Sequence, residues 1–242
     1  DSAYDITGGA GSRDNYPLME RYVPIPTGKT TRAPIKIDSD AGFPGIATAG
    51  DGGMGNPYLI NRFDIVGTGV NYCIYIGNTT MYFKIADCLL KNATIAGIKL
   101  YNAPNGIVVN CDIYNNTQYG IDLEGSGSSK VYHNNFYGNP THARDVTGGN
   151  AWDDGYPSGG NYWADYAGVD YMQGAAQNVP YSDGFGDTPY TNIPTVVGAR
   201  DLYPMMALAA TYDTTLVPSE PEPSRSIPYC VLLYMSQFTT IP

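Results

Sequence analysis

The chain of 242 residues combines 22 Tyr and 29 Gly with only 13 Lys plus Arg, and its formal net charge is −10. This acidic balance argues against a nucleic-acid partner, because binding to phosphates needs a basic stripe, and no apolar run approaches the roughly 20 residues that span a bilayer. Few charges and abundant Tyr, Asn, Thr and Gly indicate a β-rich protein that is secreted or held at the cell surface.

The first part of the chain, residues 1–36, is Pro-rich and shows no hydrophobic period, so we expect an extended N-terminal segment. Within it, residues 12–19 (Ser-Arg-Asp-Asn-Tyr-Pro-Leu-Met) resemble residues 199–206 (Ala-Arg-Asp-Leu-Tyr-Pro-Met-Met) near the other end. This similarity suggests either one link of a tandem array or subunits whose ends occupy equivalent environments in a polymer.

The next part, residues 37–147, is expected to form the β-helix. Ile35–Asp40 could be a first strand, a Gly-rich loop follows, and a repeat of 23 residues extends from Ile60 to Tyr137. Gly97–Leu100 is matched one period later by Gly120–Leu123, and Cys88 is matched by Cys111. Each unit alternates apolar and polar residues, which is typical of short strands. Since a fixed period of this size is the signature of a solenoid, we predict an all-β protein containing a parallel β-helix of about three to four turns.

The repeat also predicts which residues stack on neighbouring turns. Ile65 should precede Cys88 in one column, and Ile74 should align with Ile98 after one extra residue. Cys88 and Cys111 should lie about 4.8 Å apart, which allows either a disulfide or a column of buried thiols. The common direction of stacked side chains favours the thiols.

Polar residues fall into columns as well. Lys99 and Asp122 are neighbours on one face, which predicts an ion pair between turns. Asp87, Asn110 and His133 share another column, which predicts a hydrogen-bonded polar ladder. A polysaccharide-cleaving enzyme would need paired carboxylates, and no two fall in adjacent positions of one column, so we do not expect an enzyme. The candidates for such a role are Asp87, Asp112, Asp122, Glu124 and His133.

Three N-x-[ST] sequences begin at Asn78, Asn92 and Asn115. Such sequences are acceptors of N-linked glycans in exposed loops of secreted proteins. We therefore predict glycosylation at these three asparagines if the host modifies proteins in this way.

Residues 148–210 lose the period and become rich in Trp, Tyr, Gly and Asp, which predicts a loop-rich cap over the last turn. Carboxylates in its loops suggest a calcium site, because calcium prefers several oxygen ligands from flexible loops. The alternative is that they accept backbone N–H bonds in turns. The candidate ligands are Asp165, Asp170, Asp183 and Asp187.

The aromatic residues of the cap have two interpretations. Tyr156, Trp163 and Tyr166 could stack on sugar rings, or they could form the local core of a region without helices, which we favour. His133 and His142 are the two histidines and lack ligand partners at metal-binding spacing, so we expect no copper or zinc site.

The chain closes with a Pro/Glu-rich linker at 211–225 and an apolar strand-like segment at 226–242. A strand of this kind can add to the sheet edge of another copy, and a head-to-tail contact that does not close grows into a filament. The alternative is that the segment folds back along its own β-helix. The residues expected to mediate assembly are Tyr16, Tyr22, Tyr229, Val231, Leu233 and Phe238.

Three blocks of the cap carry a family resemblance: Gly159–Tyr166 (Gly-Gly-Asn-Tyr-Trp-Ala-Asp-Tyr), Asp183–Tyr190 (Asp-Gly-Phe-Gly-Asp-Thr-Pro-Tyr) and Asp201–Met205 (Asp-Leu-Tyr-Pro-Met). They resemble the closing region of archaeal surface β-helix proteins of the NosD-like, carbohydrate-binding-and-sugar-hydrolysis type. The resemblance implies a right-handed parallel β-helix outside the cell or on its surface. The chain departs from the family pattern in having few turns and in Tyr171–Tyr181, where other residues dilute the family's Asp/Asn/Gly-rich stretch; this weakens the implication of metal binding.

These observations favour a non-enzymatic extracellular structural protein that self-associates through its terminal strands, with calcium stiffening the cap. The alternative is a cell-surface carbohydrate-binding module of a larger tandem protein. A polysaccharide-cleaving enzyme is the third interpretation.

Overall fold

The computed structural model describes residues 28–194 and 198–209. This part of the chain forms a parallel β-solenoid with three strands per turn, and the one helical element described is a short 3-10 helix at Asp40–Gly42. The predicted all-β parallel β-helix is therefore confirmed. In chain order the strands are β1 (Thr30–Arg32), β2 (Ile35–Ile37), β3 (Tyr58–Asn61), β4 (Phe63–Val66), β5 (Tyr72–Gly77), β6 (Phe83–Ala86), β7 (Leu89–Lys91), β8 (Ala96–Tyr101), β9 (Gly106–Val109), β10 (Asp112–Tyr114), β11 (Tyr119–Glu124), β12 (Lys130–Tyr132), β13 (Asn135–Tyr137), β14 (Thr141–Asp145), β15 (Tyr162–Trp163), β16 (Met172–Gln173) and β17 (Val179–Pro180).

Successive strands of one turn belong to three different sheets. Sheet A has the order β1-β4-β7-β10-β13-β15, sheet B the order β2-β5-β8-β11-β14, and sheet C the order β3-β6-β9-β12. All pairs within these sheets are parallel, whereas β16 and β17 form a separate antiparallel hairpin in the cap.

The solenoid has more turns than the three to four predicted, because the five strands of sheet B mark five turns. The additional turn begins with β1, inside the segment expected to be extended up to residue 36, and β2 corresponds to the possible first strand at Ile35–Asp40. Ile35 pairs with Ile74 and is buried, as a strand of the core requires. The long loop 38–57 between β2 and β3 interrupts the period, so the repeat does not reveal this turn.

The register agrees with the predicted alignment except in one column. Ile74 pairs with Ile98, as expected, but Ile65 pairs with Leu90 and is not in the column of Cys88. The turns 67–71 and 78–82 are each one residue longer than their counterparts 92–95 and 102–105. These two extra residues shift the register by two positions.

Asp87, Asn110 and His133 each have a left-handed backbone conformation at the bend between sheets C and A. The φ angles are 54°, 54° and 55°, respectively. Asn and Asp visit this region more readily than other side chains because their short polar groups bond locally. The shared property of this column is thus the sharp bend of the backbone that each turn of the solenoid needs.

The inner column at the same corner contains Cys88, Cys111, Asn134 and Asn161. Both cysteines are buried and carry free thiols, so the buried-thiol alternative describes this structure. The backbone N–H of Cys111 donates to Oδ1 of Asn134 at 3.0 Å, and that of Asn134 to Oδ1 of Asn161 at 3.1 Å. The asparagines therefore satisfy backbone groups that the bend removes from the strand ladders.

The cap closes the last turn with aromatic side chains. Trp163 stacks between Phe136 of the solenoid, at 4.6 Å between ring centroids, and Tyr190 of the cap, at 4.2 Å. Buried Asp201 ties the cap to β15, because its Oδ2 accepts hydrogen bonds from Asn161 N at 2.7 Å and Trp163 Nε1 at 2.9 Å. Within the described residues, these contacts cover the apolar end of the last turn of the solenoid.

Candidate functional site

The outer face of sheet B carries a cleft of about 440 Å³ that extends across four neighbouring strands. It lies on β5, β8, β11 and β14, whose inward side chains, such as Ile74 and Ile98, fill the core. The residues that line the cleft are Tyr72, Tyr75, Ile95, Lys99, Tyr101, Gln118, Tyr119, Asp122, Glu124 and Arg144.

The floor of the cleft is one column of outward residues. Tyr75 pairs with Lys99, Lys99 with Asp122, and Asp122 with Arg144 on successive strands. Because parallel strands lie about 4.8 Å apart, the side chains of such a column are in direct contact. The register therefore places two cations and a carboxylate next to each other.

Lys99, Asp122, Glu124 and Arg144 form a connected ion network. Lys99 Nζ donates to Asp122 Oδ2 and to Glu124 Oε2, both at 2.8 Å. Arg144 donates from Nε to Asp122 Oδ1 at 2.8 Å and from Nη2 to Asp122 Oδ2 at 2.9 Å. The ion pair predicted between Lys99 and Asp122 is thus confirmed, and it is part of a larger network.

The centre of this network is buried. Lys99 is 5% exposed and Asp122 is 2% exposed. Burial would lower the pKa of Lys99, but its hydrogen bonds to Asp122 and Glu124 outweigh this effect and raise the pKa. Lys99 is therefore protonated at neutral pH, and its positive charge is balanced within the cleft.

Tyrosine rings form the walls around the charged floor. Tyr72 and Tyr75 are 5.7 Å apart between ring centroids. Lys99 Nζ lies 5.9 Å from the ring centre of Tyr101, and the guanidinium carbon of Arg144 lies 4.9 Å from that of Tyr119. All four tyrosines are partly exposed, so each offers aromatic surface to a ligand while its position is fixed by neighbours.

The arrangement offers hydrogen-bonding groups of both kinds without net charge. Lys99 and Arg144 supply two positive charges, and Asp122 and Glu124 supply two negative charges. The side chain of Glu124 is 46% exposed and can accept hydrogen bonds from a ligand. Gln118 at the rim is exposed and can donate or accept. The cleft is thus suited to an uncharged polar ligand with flat apolar faces.

Acid–base catalysis has little support from this geometry. Asp122 accepts three hydrogen bonds from Lys99 and Arg144, and Glu124 is held by the same lysine. A glycosidase pair needs one carboxyl group that can give up a proton. The other residues considered for this role lie elsewhere: Asp87 and His133 are in turns, and Asp112 is on sheet A.

All four cap aspartates accept hydrogen bonds within the cap, and three of them accept from backbone N–H groups of turns, which is the alternative to calcium binding. Asp183 accepts from the backbone N–H of Gly174 and of Phe185, both at 3.1 Å. Asp187 accepts from the backbone N–H groups of residues 171 and 172. Asp170 accepts from the backbone N–H groups of residues 183 and 184. Asp165 accepts from the Tyr190 hydroxyl. The geometry therefore does not support the predicted calcium site.

The cap aromatics predicted to stack on sugars are not equally available. Trp163 is 1% exposed and packs in the core of the cap, so it presents no face to a sugar ring. The Tyr166 hydroxyl donates to the backbone oxygen of Thr188 at 2.6 Å, and Tyr156 packs edge-on against Phe185. The interpretation as local core therefore holds for Trp163, because solenoid and cap bury it from both sides.

Asn78, Asn92 and Asn115, the three predicted glycosylation sites, are all exposed and lie in turns with positive φ. Glycosylation stays a prediction that this accessibility permits. The residues expected to mediate assembly, Tyr16, Tyr22, Tyr229, Val231, Leu233 and Phe238, lie outside the described residues.

The cleft residues that the sequence does not indicate are its four tyrosines and Arg144. The repeat contains a signal for some of them, because Tyr101 lies one period of 23 residues before Glu124 and pairs with it. Arg144 lies 22 residues after Asp122, since β14 enters one residue early, so a strict period does not align it.

Comparison with known proteins supports the fold and the location. The model of a family described as "Periplasmic copper-binding protein (NosD)" matches residues 64–168. The predicted resemblance to NosD-like β-helix proteins is thereby confirmed, and so is the location outside the cytoplasm. Searches of curated proteins and of solved structures gave no match. Within the described ranges, no helix is both long and apolar enough to cross a membrane.

The family is described as copper-binding, and a copper site needs several metal-binding side chains close together. In the part that the structure describes, no three or more His, Cys, Asp or Glu side chains are grouped to hold a metal ion. His142 is buried with Nε2 3.3 Å from Asp165, whereas His133 Nε2 lies 2.7 Å from the backbone oxygen of Ser158. The two histidines therefore have separate partners, and the described residues do not fit a copper site.

Proposed function

We propose that this NosD-like β-helix, located outside the cytoplasm, binds a neutral carbohydrate in the cleft on sheet B without cleaving it. The observation that carries the proposal is the set of four partly exposed tyrosines around a charge-balanced floor. Their positions differ from the cap aromatics that the sequence suggested for this role.

The chemistry of a sugar matches both parts of the cleft. Its C–H faces pack on tyrosine rings, which supply large apolar area with few rotatable bonds. Its hydroxyl groups both donate and accept, so they can pair with Glu124, Gln118 and Arg144. An anionic ligand would gain little here, because Asp122 and Glu124 already balance the two cations.

The rigidity of the floor favours binding over catalysis. Each group of the network is held by partners on adjacent strands, so the floor is organised before a ligand arrives. Preorganisation of this kind increases affinity because fewer side chains must be ordered on binding. The same hydrogen bonds occupy both oxygens of Asp122 and one oxygen of Glu124.

A glycan panel tests the proposal directly. The full chain is screened against immobilised neutral and anionic oligosaccharides, and the best binder is titrated by calorimetry. Tyr72→Ala and Tyr119→Ala should each raise the Kd about tenfold, which is on the order of 1.4 kcal/mol. Tyr171→Ala is the matched control, since Tyr171 is 69% exposed on the cap hairpin, away from the cleft.

Two results would count against glycan binding in the cleft. One is the absence of any binder in the panel at millimolar concentration. The other is a loss of affinity in Tyr171→Ala that equals the loss in Tyr72→Ala, because this would locate the ligand at the cap.

Self-association through strand addition is the second candidate function. Within the described residues, β1 and β2 each pair on one side, since they are the terminal strands of sheets A and B. An unpaired edge can accept a strand from another copy. Light scattering at micromolar concentration should then give masses well above 26.1 kDa. A concentration-independent mass of one chain would contradict assembly under those conditions.

A further inference from the structure

The cleft on sheet B is elongated along the solenoid axis, because its floor follows one column of residues across four strands. The column consists of Tyr75, Lys99, Asp122 and Arg144 on β5, β8, β11 and β14. With parallel strands about 4.8 Å apart, three such steps give a floor of roughly 14 Å. A ligand that contacts the whole floor is therefore long in the direction that crosses the strands.

Both ends of this floor are defined. Tyr75 lies beside Tyr72, with 5.7 Å between ring centroids, and its hydroxyl donates to Asp38 next to β2 at 3.3 Å. The pair of rings thus ends the cleft on the side of the first turn. At the other end Arg144 lies on β14, which is the last strand of sheet B in the described chain.

Two further columns form the rims of the cleft, one on each side of the floor, with one position each on β5, β8 and β11. The first rim is Tyr72, Ala96 and Tyr119, and the second rim is Gly77, Tyr101 and Glu124. A partly exposed tyrosine therefore lies on the first rim at β5, on the second rim at β8 and again on the first rim at β11. The aromatic surface changes sides from each strand to the next.

A chain of β-1,4-linked hexopyranoses has the matching geometry. Each sugar ring with its linkage advances the chain by a length close to the strand spacing of about 4.8 Å. Each ring is also turned by about half a turn relative to the one before, so the same face of successive rings points to opposite sides. When such a chain stands on edge in the cleft, this face meets Tyr72, then Tyr101 on the other rim, then Tyr119. An α-1,4-linked chain keeps this face on one side and would use the tyrosines of one rim only.

The hydroxyl groups along the edge of the sugar chain match the charged floor. Arg144 uses Nε and Nη2 for Asp122, so its Nη1 can donate to a sugar hydroxyl. Glu124 is held by Lys99 through one oxygen, and its side chain is 46% exposed, so it can accept from another hydroxyl. Donors and acceptors thus both lie below the edge of the chain.

We propose that the ligand of this cleft is a neutral chain of β-1,4-linked hexopyranoses, bound along the solenoid axis with about three sugar rings in contact. This inference rests on the proposed carbohydrate binding and adds the linkage, the direction and the length of the ligand. The observation that carries it is the alternation of the tyrosines between the two rims.

The test is a calorimetric titration of the full chain with oligosaccharides of defined linkage and length. The β-1,4-linked oligomers of glucose and of N-acetylglucosamine, from two to six units, are compared with α-1,4-linked glucose oligomers of the same lengths. We expect the Kd of one β-1,4-linked series to fall about tenfold from two to three units and to stay constant beyond about four. The α-1,4-linked trimer should bind at least about tenfold more weakly than the β-1,4-linked trimer.

Tyr101 is the residue that separates the two linkages, because it supplies the ring of the second rim. Tyr101→Ala should raise the Kd of the β-1,4-linked trimer about tenfold and leave that of the α-1,4-linked trimer unchanged. Tyr101→Phe keeps the ring and should restore most of the lost affinity. Melting temperatures show whether each variant is folded, and the length series on the unsubstituted chain does not depend on them.

The outcomes separate this inference from the proposed function. Equal affinity for the α- and β-linked trimers, an affinity that does not increase with length, or full affinity in Tyr101→Ala would overturn the linkage and the direction. The cleft would remain a sugar site in each of these cases, provided that Tyr72→Ala weakens binding. The absence of binding by every glycan would overturn the proposed function, and this inference with it.

Discussion

At the scale of single residues, buried polar side chains replace the regular ladders wherever the chain leaves a strand. Asn134 and Asn161 bond the backbone inside one corner. Asp201 does the same for the cap and is 0% exposed. Burial raises the pKa of Asp201 from its usual 3.8 to about 7, although hydrogen bonds from Asn161, Trp163 and Tyr203 oppose the rise. This carboxyl group therefore makes the stability of the cap depend on pH.

The first prediction concerns that dependence. A pKa that is higher in the folded than in the unfolded chain means that the folded state binds the proton more tightly. The contribution of Asp201 to stability is therefore complete below about pH 4 and is lost as the pH rises to about 7. Asp201→Asn removes the titration, so the difference in melting temperature between the two proteins should change steadily across this range. A constant difference from about pH 4 to about pH 7 would contradict this assignment.

The second prediction concerns the cap aspartates. Asp183→Asn and Asp187→Asn each remove a charged acceptor of backbone N–H bonds, which should cost roughly 1–2 kcal/mol. For a chain of this size the melting temperature should fall by about 2–8 °C. Because the hydrogen bonds of these aspartates go to backbone N–H groups of turns, we expect the decrease to be equal in calcium and in EDTA. A decrease seen only with calcium would restore the calcium site.

At the scale of elements, the outward column of sheet B shows which contacts between strands a sequence repeat can predict. The 23-residue step predicts the contact of Lys99 with Asp122 correctly, because β8 and β11 have the same length and pair with an offset of 23 residues. Arg144 was not found, since β14 begins one residue early. The repeat does not extend to the first turn, because a loop of 20 residues, 38–57, separates β2 from β3. Periodicity predicts contacts only as long as the turns keep a constant length.

The third prediction tests the network of that column. Lys99→Met leaves Glu124 without its lysine partner and removes one of the two cations that bond Asp122. Asp122 is buried but keeps its two hydrogen bonds from Arg144, so the loss of the lysine should cost about 1.5–3 kcal/mol. Glu124→Gln should cost less than about 1 kcal/mol, since the Glu124 side chain is half exposed. Urea unfolding of both variants measures the difference, and equal losses of stability would show that the network is not centred on Lys99.

At the scale of the whole molecule, the solenoid presents three long faces with different chemistry. Sheet B carries the tyrosine-lined cleft, sheet A receives both ends of the described chain, and sheet C displays lysines such as Lys84 and Lys130. The cap could be located from its composition, but its contacts could not be predicted. Asp201 bonds a residue 40 positions earlier, and no period relates the two.

The central claim is that the cleft on sheet B is the ligand site. The most direct test is an NMR titration of the full chain, with isotope-labelled tyrosine rings, by the best oligosaccharide from the panel. The account predicts that ring signals of Tyr72, Tyr101 and Tyr119 shift together with one Kd, while those of Tyr171 and Tyr181 stay in place. Shifts confined to Tyr171 and Tyr181, with the cleft signals unchanged, would contradict it.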